Sequence, residues 1–336
     1  MGAARPGRRP RAVPGCDRGH GHRRRRAPGA LLADQHPGGA RRPLDRGRRR
    51  RTAPGQGERP MRTVSTATKG GYADTDWGQV HYRINGDSGP WIGLFHESPL
   101  SSRVYEEVLP VLGLSARAVA FDTPGYGASD PPPGPGFEIP DYARMLAQAA
   151  AGIGLERPVL GGVHTGASLA IAASAHLPAS GLVLSGVPLF DPAERAGFLA
   201  DWTPGAPIDG TGSQFGWAVE RYLRIWGADV PQDMLHLAVT ELMRVAEHYE
   251  WGYRAAFRYD PSDALAAVDV PVLLLGAESD MLAPKDPLAL ELARDARLVV
   301  LPGLAGQPHL RAPDRYASAL LEFVRDLTDT EGAARS

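Results

Sequence analysis

The stretch LGGVHTGASLA, Leu160 to Ala170, holds the residues best placed for chemistry. Apolar residues and glycines lead in, small helix-forming residues follow, and His164 stands between Gly162 and Gly166. The pattern predicts a sharp strand-to-helix turn that lifts its tip side chain out at the head of a helix, with glycines where backbones pack closely. Such turns usually carry serine at the tip. An imidazole there brings a pKa of about 6.5, suited to proton transfer near neutrality, and a positioned general base is worth roughly 10²–10⁴ in rate. The competing reading is a decayed site in which His164 only fills volume.

Other chemistry is weaker. The glycines of GYGAS, Gly125 to Ser129, are followed by no lysine and do not form a phosphate loop. No group of His, Cys, Asp or Glu has metal-ligand spacing, and Cys16 is the single cysteine. The sequence thus calls for no cofactor and no metal. His248 lies among Tyr249, Trp251 and Tyr253; these rings read as core that can also wall a substrate site. His236 reads as packing or exposed, and Ser168 as packed within its helix.

The elements that must position His164 alternate. WGQVHYRINGD and PWIGLFHE read as a strand pair and then a buried strand ending at His96. SRVYEEVLPVLG reads as helix, RAVAFDTPGYGASD as a buried strand running into a glycine turn, and IPDYARMLAQAAAGIG as a helix opened by Pro140. RPVLGGVH and SGLVLSGVPLF are further strands around the helix TGASLAIAASAH. VPVLLLGAESD, DPLALELARDA, RLVVLPG and APDRYASALLEFVRDL close the chain as strand, helix, strand, helix. Such alternation predicts an α/β fold with a mostly parallel sheet covered on both faces. It stops between Phe190 and about Ala264, where helical, aromatic segments read as a cap over the carboxyl edge of the sheet. The expected organisation is a core in two parts, 61–189 and 265–336, around a cap at 190–264.

Five stretches in this order resemble the α/β-hydrolase fold family. LFHESPLSS is similar to its strand-end oxyanion segment and FDTPGYGASD to its glycine turn. GGVHTGASLA is similar to its nucleophile elbow except at the nucleophile, within a subset reading His-Thr-Gly. GAESDMLAP resembles the segment supplying the triad acid, at Asp280, and LPGLAGQPHLRAPDRYASALLEFV the segment supplying the triad histidine. The resemblance spans about Tyr72 to Leu327. It implies a capped α/β-hydrolase fold, a structural Asp122, and backbone N–H donors at Thr165 and Glu97 forming an oxyanion hole. It also exposes two departures: the catalytic serine has become His164, and the catalytic histidine falls on Gly306. One imidazole has moved from one loop to another, and its ring would enter the space that Gly306 leaves open. Asp280 then orients it, directly or through water, with Glu97 as the rival partner. His309 matches the second, usually non-catalytic histidine, for which a surface role is expected.

The site set so assembled is His164, Asp280 and Glu97 for catalysis, Glu97 and Thr165 for the oxyanion hole, and His96, Ser98, Trp251 and Tyr253 for substrate. The expected activity is cofactor-free chemistry on a small or medium apolar carbonyl compound. It would proceed by direct water attack or as a lyase, isomerase or cyclase. The alternative is a non-catalytic ligand-binding protein on the same scaffold.

Charge separates two regions. Residues 1–60 carry 17 Arg, no Lys and four acidic residues, leaving 20 basic and 34 acidic residues beyond them. The acidic globular part argues against nucleic acid as partner. The first sixty residues lack helical or strand periodicity and read as disordered, or as sequence upstream of a start at Met61. No apolar run approaches the roughly 20 residues of a membrane span. A small-molecule substrate, a cytoplasmic location and no membrane are expected, and self-association into a homo-oligomer is compatible with the sequence.

Overall fold

The structure, a computed structural model, describes residues 67–335. The expectations for residues 1–60 and for Met61 lie outside the described residues. Eight strands form one sheet: β1 (Lys69–Thr75), β2 (Gly78–Asn85), β3 (Trp91–Phe95), β4 (Arg117–Phe121), β5 (Val159–Val163), β6 (Gly181–Ser185), β7 (Val272–Ala277) and β8 (Ala296–Leu301). Their order is β1-β2-β4-β3-β5-β6-β7-β8. The β1–β2 and β2–β4 pairs are antiparallel and the others parallel. The central β5, β6 and β7 are buried at every residue. Their near-continuous apolar runs suit strands covered on both faces. Alternate residues feed two cores: Leu182, Leu184 and Leu274 pack on one face, Val183, Leu273 and Leu275 on the other.

Helices Ile139–Gly152 and Thr165–Ala173 make the crossovers on either side of β5. The first starts as the sequence indicates, with Pro140 in its first turn and a capping box between Glu138 and Asp141. SRVYEEVLPVLG departs from expectation: it is a 3-10 turn, Ser102–Tyr105, and a separate short helix, Val108–Leu112. Pro110 explains the break, because its ring clashes with the carbonyl four residues back and is tolerated only in the first turn of a new helix.

Five helices stand between β6 and β7: Pro192–Asp201, Ser213–Trp226, Gln232–Arg244, Glu250–Arg258 and Ser262–Ala267. Within the helical, aromatic segment, Gln232–Arg244 and Glu250–Arg258 are separate helices, divided after Arg244. Tertiary anchors hold the turn: Arg244 donates to the Gly127 carbonyl at 2.7 Å, His248 Nε2 bonds the Gly125 carbonyl at 2.9 Å, and Tyr249 is fully buried. Among the described residues no helix is long and apolar enough to cross a membrane.

Candidate active site

β5 runs straight into His164, whose backbone sits at φ 50°, ψ −111°, and the helix Thr165–Ala173 begins at the next residue. Positive φ is costly for a non-glycine residue, about 1–3 kcal/mol, and persists only where the surroundings enforce it. They do so here. A Cβ on Gly162 would lie 2.1 Å from the Gly166 carbonyl oxygen, and one on Gly166 would lie 2.1 Å from the Phe95 carbonyl oxygen. The His164 N–H is tied to the Ser185 carbonyl at 2.9 Å. The two glycines thus let strand, turn and helix close up, and the imidazole is left at the head of the helix.

The ring reaches Asp280, on the loop after β7. Nε2 lies 3.0 Å from both carboxylate oxygens, 116 residues away in sequence. Asp280 Oδ1 also accepts the Leu282 N–H at 2.8 Å. With Nε2 committed, Nδ1 is the ring nitrogen left without a protein hydrogen bond among the described residues. Burial works against the imidazolium, yet the charge and hydrogen bonds of Asp280, helped by Glu97, raise the His164 pKa above the ordinary value. For Asp280, burial is likewise outweighed by His164, and its pKa is lowered. Asp286, buried behind this pair and repelled by Asp280, is pushed up to about 6.

Two glycines permit the pairing. Gly306 lies beside Asp280: a Cβ there would be 3.0 Å from Oδ2, and its φ is +92°. Gly186, just after β6, is the residue that sequence reasoning missed. A Cβ on it would lie 2.6 Å from His164 Cδ2 and 2.9 Å from Nε2. Its only sequence signal is a glycine directly after the strand, too common to single out.

Glu97 follows β3 and is buried, and its carboxylate faces a second histidine: His309 Nε2 lies 3.3 Å from Oε2. Burial would raise the Glu97 pKa; the charge of the nearby His309, then that of His164, lowers it. His309 is fully buried, against the expected surface role, because the short helix Pro308–Arg311 turns its ring inward between Tyr105 and Tyr316, at 5.0 and 6.0 Å.

One cavity joins these groups. Glu97, Ser98, His164 and Thr165 form its polar floor; Phe190, Phe198, Trp202, Tyr222, Tyr253 and Phe257 supply an aromatic wall, mostly from the helices between β6 and β7. Two expected substrate contacts fail. His96 is buried with both ring nitrogens engaged: Nε2 accepts the Thr123 N–H at 2.9 Å, so Nδ1 carries the proton and donates to the Glu97 carbonyl at 2.9 Å. It pins the segment after β3 to the glycine turn. Trp251 is not among the cavity-lining residues and packs tilted against His248, ring centroids 4.9 Å apart. Two residues apart on one helix, Trp251 and Tyr253 cannot share a face. Asp122 accepts from His81, Ser102 and Ala128, which hold its pKa at about 2 against the cost of burial.

The comparisons with known proteins agree with this architecture. The chain is 33% identical over 99 residues to haloalkane dehalogenase 2 of Mycobacterium tuberculosis, a match covering 30% of this chain and 34% of that protein. The chain thus spans about a third of the length of the dehalogenases it matches. It is 27% identical over 297 residues to the non-heme haloperoxidase of Rhodococcus erythropolis, covering 79% of this chain and 99% of that protein. A thermophilic esterase from Thermogutta terrifontis shares the fold, with a TM-score of 0.62 at 21% identity over 77% of this chain and 99% of that one. Residues 84–319 match the alpha/beta hydrolase family, and the chain belongs to it.

Proposed function

We propose that the protein is a cofactor-free enzyme acting on a small or medium, largely apolar carbonyl compound. His164 is its general base, Asp280 orients the base, and the N–H groups of Thr165 and Glu97 stabilise negative charge developing on the carbonyl oxygen. The helices between β6 and β7 act as the cap. One observation carries the reading: His164 lines the cavity, its Nε2 is held 3.0 Å from both Asp280 oxygens, and its Nδ1 has no protein hydrogen bond among the described residues. Donation of Nε2–H to Asp280 fixes the tautomer in which Nδ1 carries the lone pair, the role that the acid plays for the imidazole of a catalytic triad. Thr165 is the first residue of its helix, so its N–H has no partner within the helix and is available to an oxyanion.

With no hydroxyl at the tip of the elbow, the chemistry is direct: His164 takes a proton from water for hydrolysis, or from a carbon acid for lyase, isomerase or cyclase reactions. An aromatic-walled cavity with a small polar floor suits a largely apolar ligand. The haloalkane dehalogenase relative is named for a small apolar substrate, in keeping with such a wall.

A panel of esters and β-dicarbonyl compounds, assayed beside His164→Ala, tests the proposal. Turnover by the natural chain that disappears in His164→Ala supports it. Turnover that persists sinks the base assignment. Tight binding of panel compounds with no turnover by either protein would instead favour the ligand-binding reading.

A further inference from the structure

A carboxylate beside an oxyanion hole is an electrostatic conflict. Glu97 lends its N–H to that hole in the reading above and is one of the residues lining the cavity, with its carboxylate buried just behind. Ionised, it repels the charge that the hole must stabilise; carrying a proton, it donates to it. Its surroundings are built to move a proton. His309 Nε2 is 3.3 Å from Oε2, and His309 is fully buried. Neither ring nitrogen of His309 nor either carboxylate oxygen of Glu97 has an aligned hydrogen bond among the described residues. Four buried polar atoms so arranged are costly to a fold and call for an explanation. The remaining titratable neighbours of Glu97 are His164 from the elbow and the hydroxyls of Tyr105, Tyr222, Tyr253 and Tyr316 from four separate elements. No lysine or arginine faces it in this set; His309 is the imidazole that stands within ion-pair distance of its carboxylate.

We propose that Glu97 and His309 form a second acid–base pair, opposed to His164–Asp280, which delivers a proton to the carbonyl oxygen and makes the site an enolising one. This rests on His164 as base. His164 Nδ1 takes the proton from the carbon next to the carbonyl. The C–H electron pair becomes the new C=C bond, and the C=O π pair moves onto oxygen. Glu97 starts as a carboxylate: His309 Nε2–H passes its proton to Glu97, leaving the lone pair on Nε2, and the carbonyl oxygen takes that proton from the carboxyl group so formed. One proton leaves carbon and one reaches oxygen, with no change of oxidation state. Return of the His164 proton to carbon, at the same or a conjugated position, and of the hydroxyl proton through Glu97 to His309 resets the site. Glu97 touches the substrate; His309 acts through it and is a positioning residue. The substrate class narrows to apolar ketones or related carbonyl compounds with an acidic C–H.

Two measurements on the full chain test this. The first needs no substrate: the Glu97 side-chain carboxyl is followed by ¹³C NMR as pH is varied. In His309→Gln the midpoint should rise, because the opposite charge that lowers it is gone; charges at this range move a carboxyl by roughly 1–3 units. An unchanged midpoint overturns the pair. Should His309→Gln fail to fold, Glu97→Gln, which keeps the side-chain volume, reads the contact from the other side: the ring ¹⁵N signals of His309 must shift, and unchanged signals overturn the pair. The second measurement is deuterium exchange into 1-phenylpropan-2-one in D₂O. His309→Gln should lower kcat about 10- to 100-fold, within the range of one general acid, with KM nearly unchanged. A loss confined to KM would overturn the relay. His164→Ala with full exchange would sink the base assignment, while the Glu97 titration would still stand or fall on its own.

Discussion

Gly186 and His164 fit one another: the glycine backbone, at φ +60°, lies so close to the imidazole that an added Cβ would come within 2.6 Å of Cδ2. The elbow lifts His164, but the missing side chain at residue 186 is what lets the ring lie down toward Asp280. Gly186→Ala should therefore push the ring off the carboxylate. It should cost about 1–3 kcal/mol in stability for the positive φ alone and remove most His164-dependent turnover. Thermal melting and the substrate panel read the two effects. Unchanged turnover with lowered stability would show that the pairing with Asp280 is not needed for the chemistry.

The pH dependence follows from the same pair. Asp280 raises the His164 pKa, so the neutral base forms only as pH climbs above that raised value. The rate should rise with pH along a limb lying above about 6.5, the ordinary histidine value. Asp280→Asn removes the charge that does the raising. Its limb should move to lower pH, while the maximum rate falls because the tautomer is no longer fixed. A limb that stays in place on this substitution would assign it to another group, and Glu97→Gln would then be the variant to examine.

No acyl-enzyme should form. A fluorophosphonate needs an activated hydroxyl, and the elbow tip has none. Ser168 is fully buried in its helix and Ser98, though at the cavity, is itself buried. Intact-mass spectrometry after treatment should show the unmodified chain. One stoichiometric adduct on Ser98 would make the protein a serine hydrolase with a displaced nucleophile.

What could be read from the sequence divides along physical lines. Buried parallel strands are continuous apolar runs, and the elbow declares itself by Gly162 and Gly166, so the order of elements around His164 and the fold class were legible. Contacts made by tertiary packing were not. His309 looked like a surface residue because nothing local says that its four-residue helix turns inward. His96 looked like a substrate contact because only the fold brings the Thr123 N–H to its Nε2. The break after Arg244 carries neither glycine nor proline and is imposed by Gly125 and Gly127 on a distant loop. Trp251 and Tyr253 were grouped by sequence proximity, whereas the helical period sends them to different sides.

The exchange of residues at 164 and 306 can be tested by reversing it. Gly306 sits beside Asp280, as the resemblance implies for the position of a triad histidine, but its backbone is at φ +92° and a Cβ would already be 3.0 Å from Oδ2. A histidine there is strained whatever its rotamer, and in the presence of His164 it competes for one carboxylate. Gly306→His alone should therefore lower the melting temperature and lose the native activity. Adding His164→Ser frees Asp280 and supplies a hydroxyl at the elbow, so weak hydrolysis of 4-nitrophenyl butyrate should appear, with a burst from acyl-enzyme. It should stay weak, because the imidazole can meet both serine and Asp280 only if the loop at 302–307 moves. His164→Ser alone should show neither burst nor turnover, since no imidazole would then stand next to the serine in place of the missing one. A burst from that single variant would mean that His309 can reach the serine, and the division of labour between the two histidines would have to be reversed.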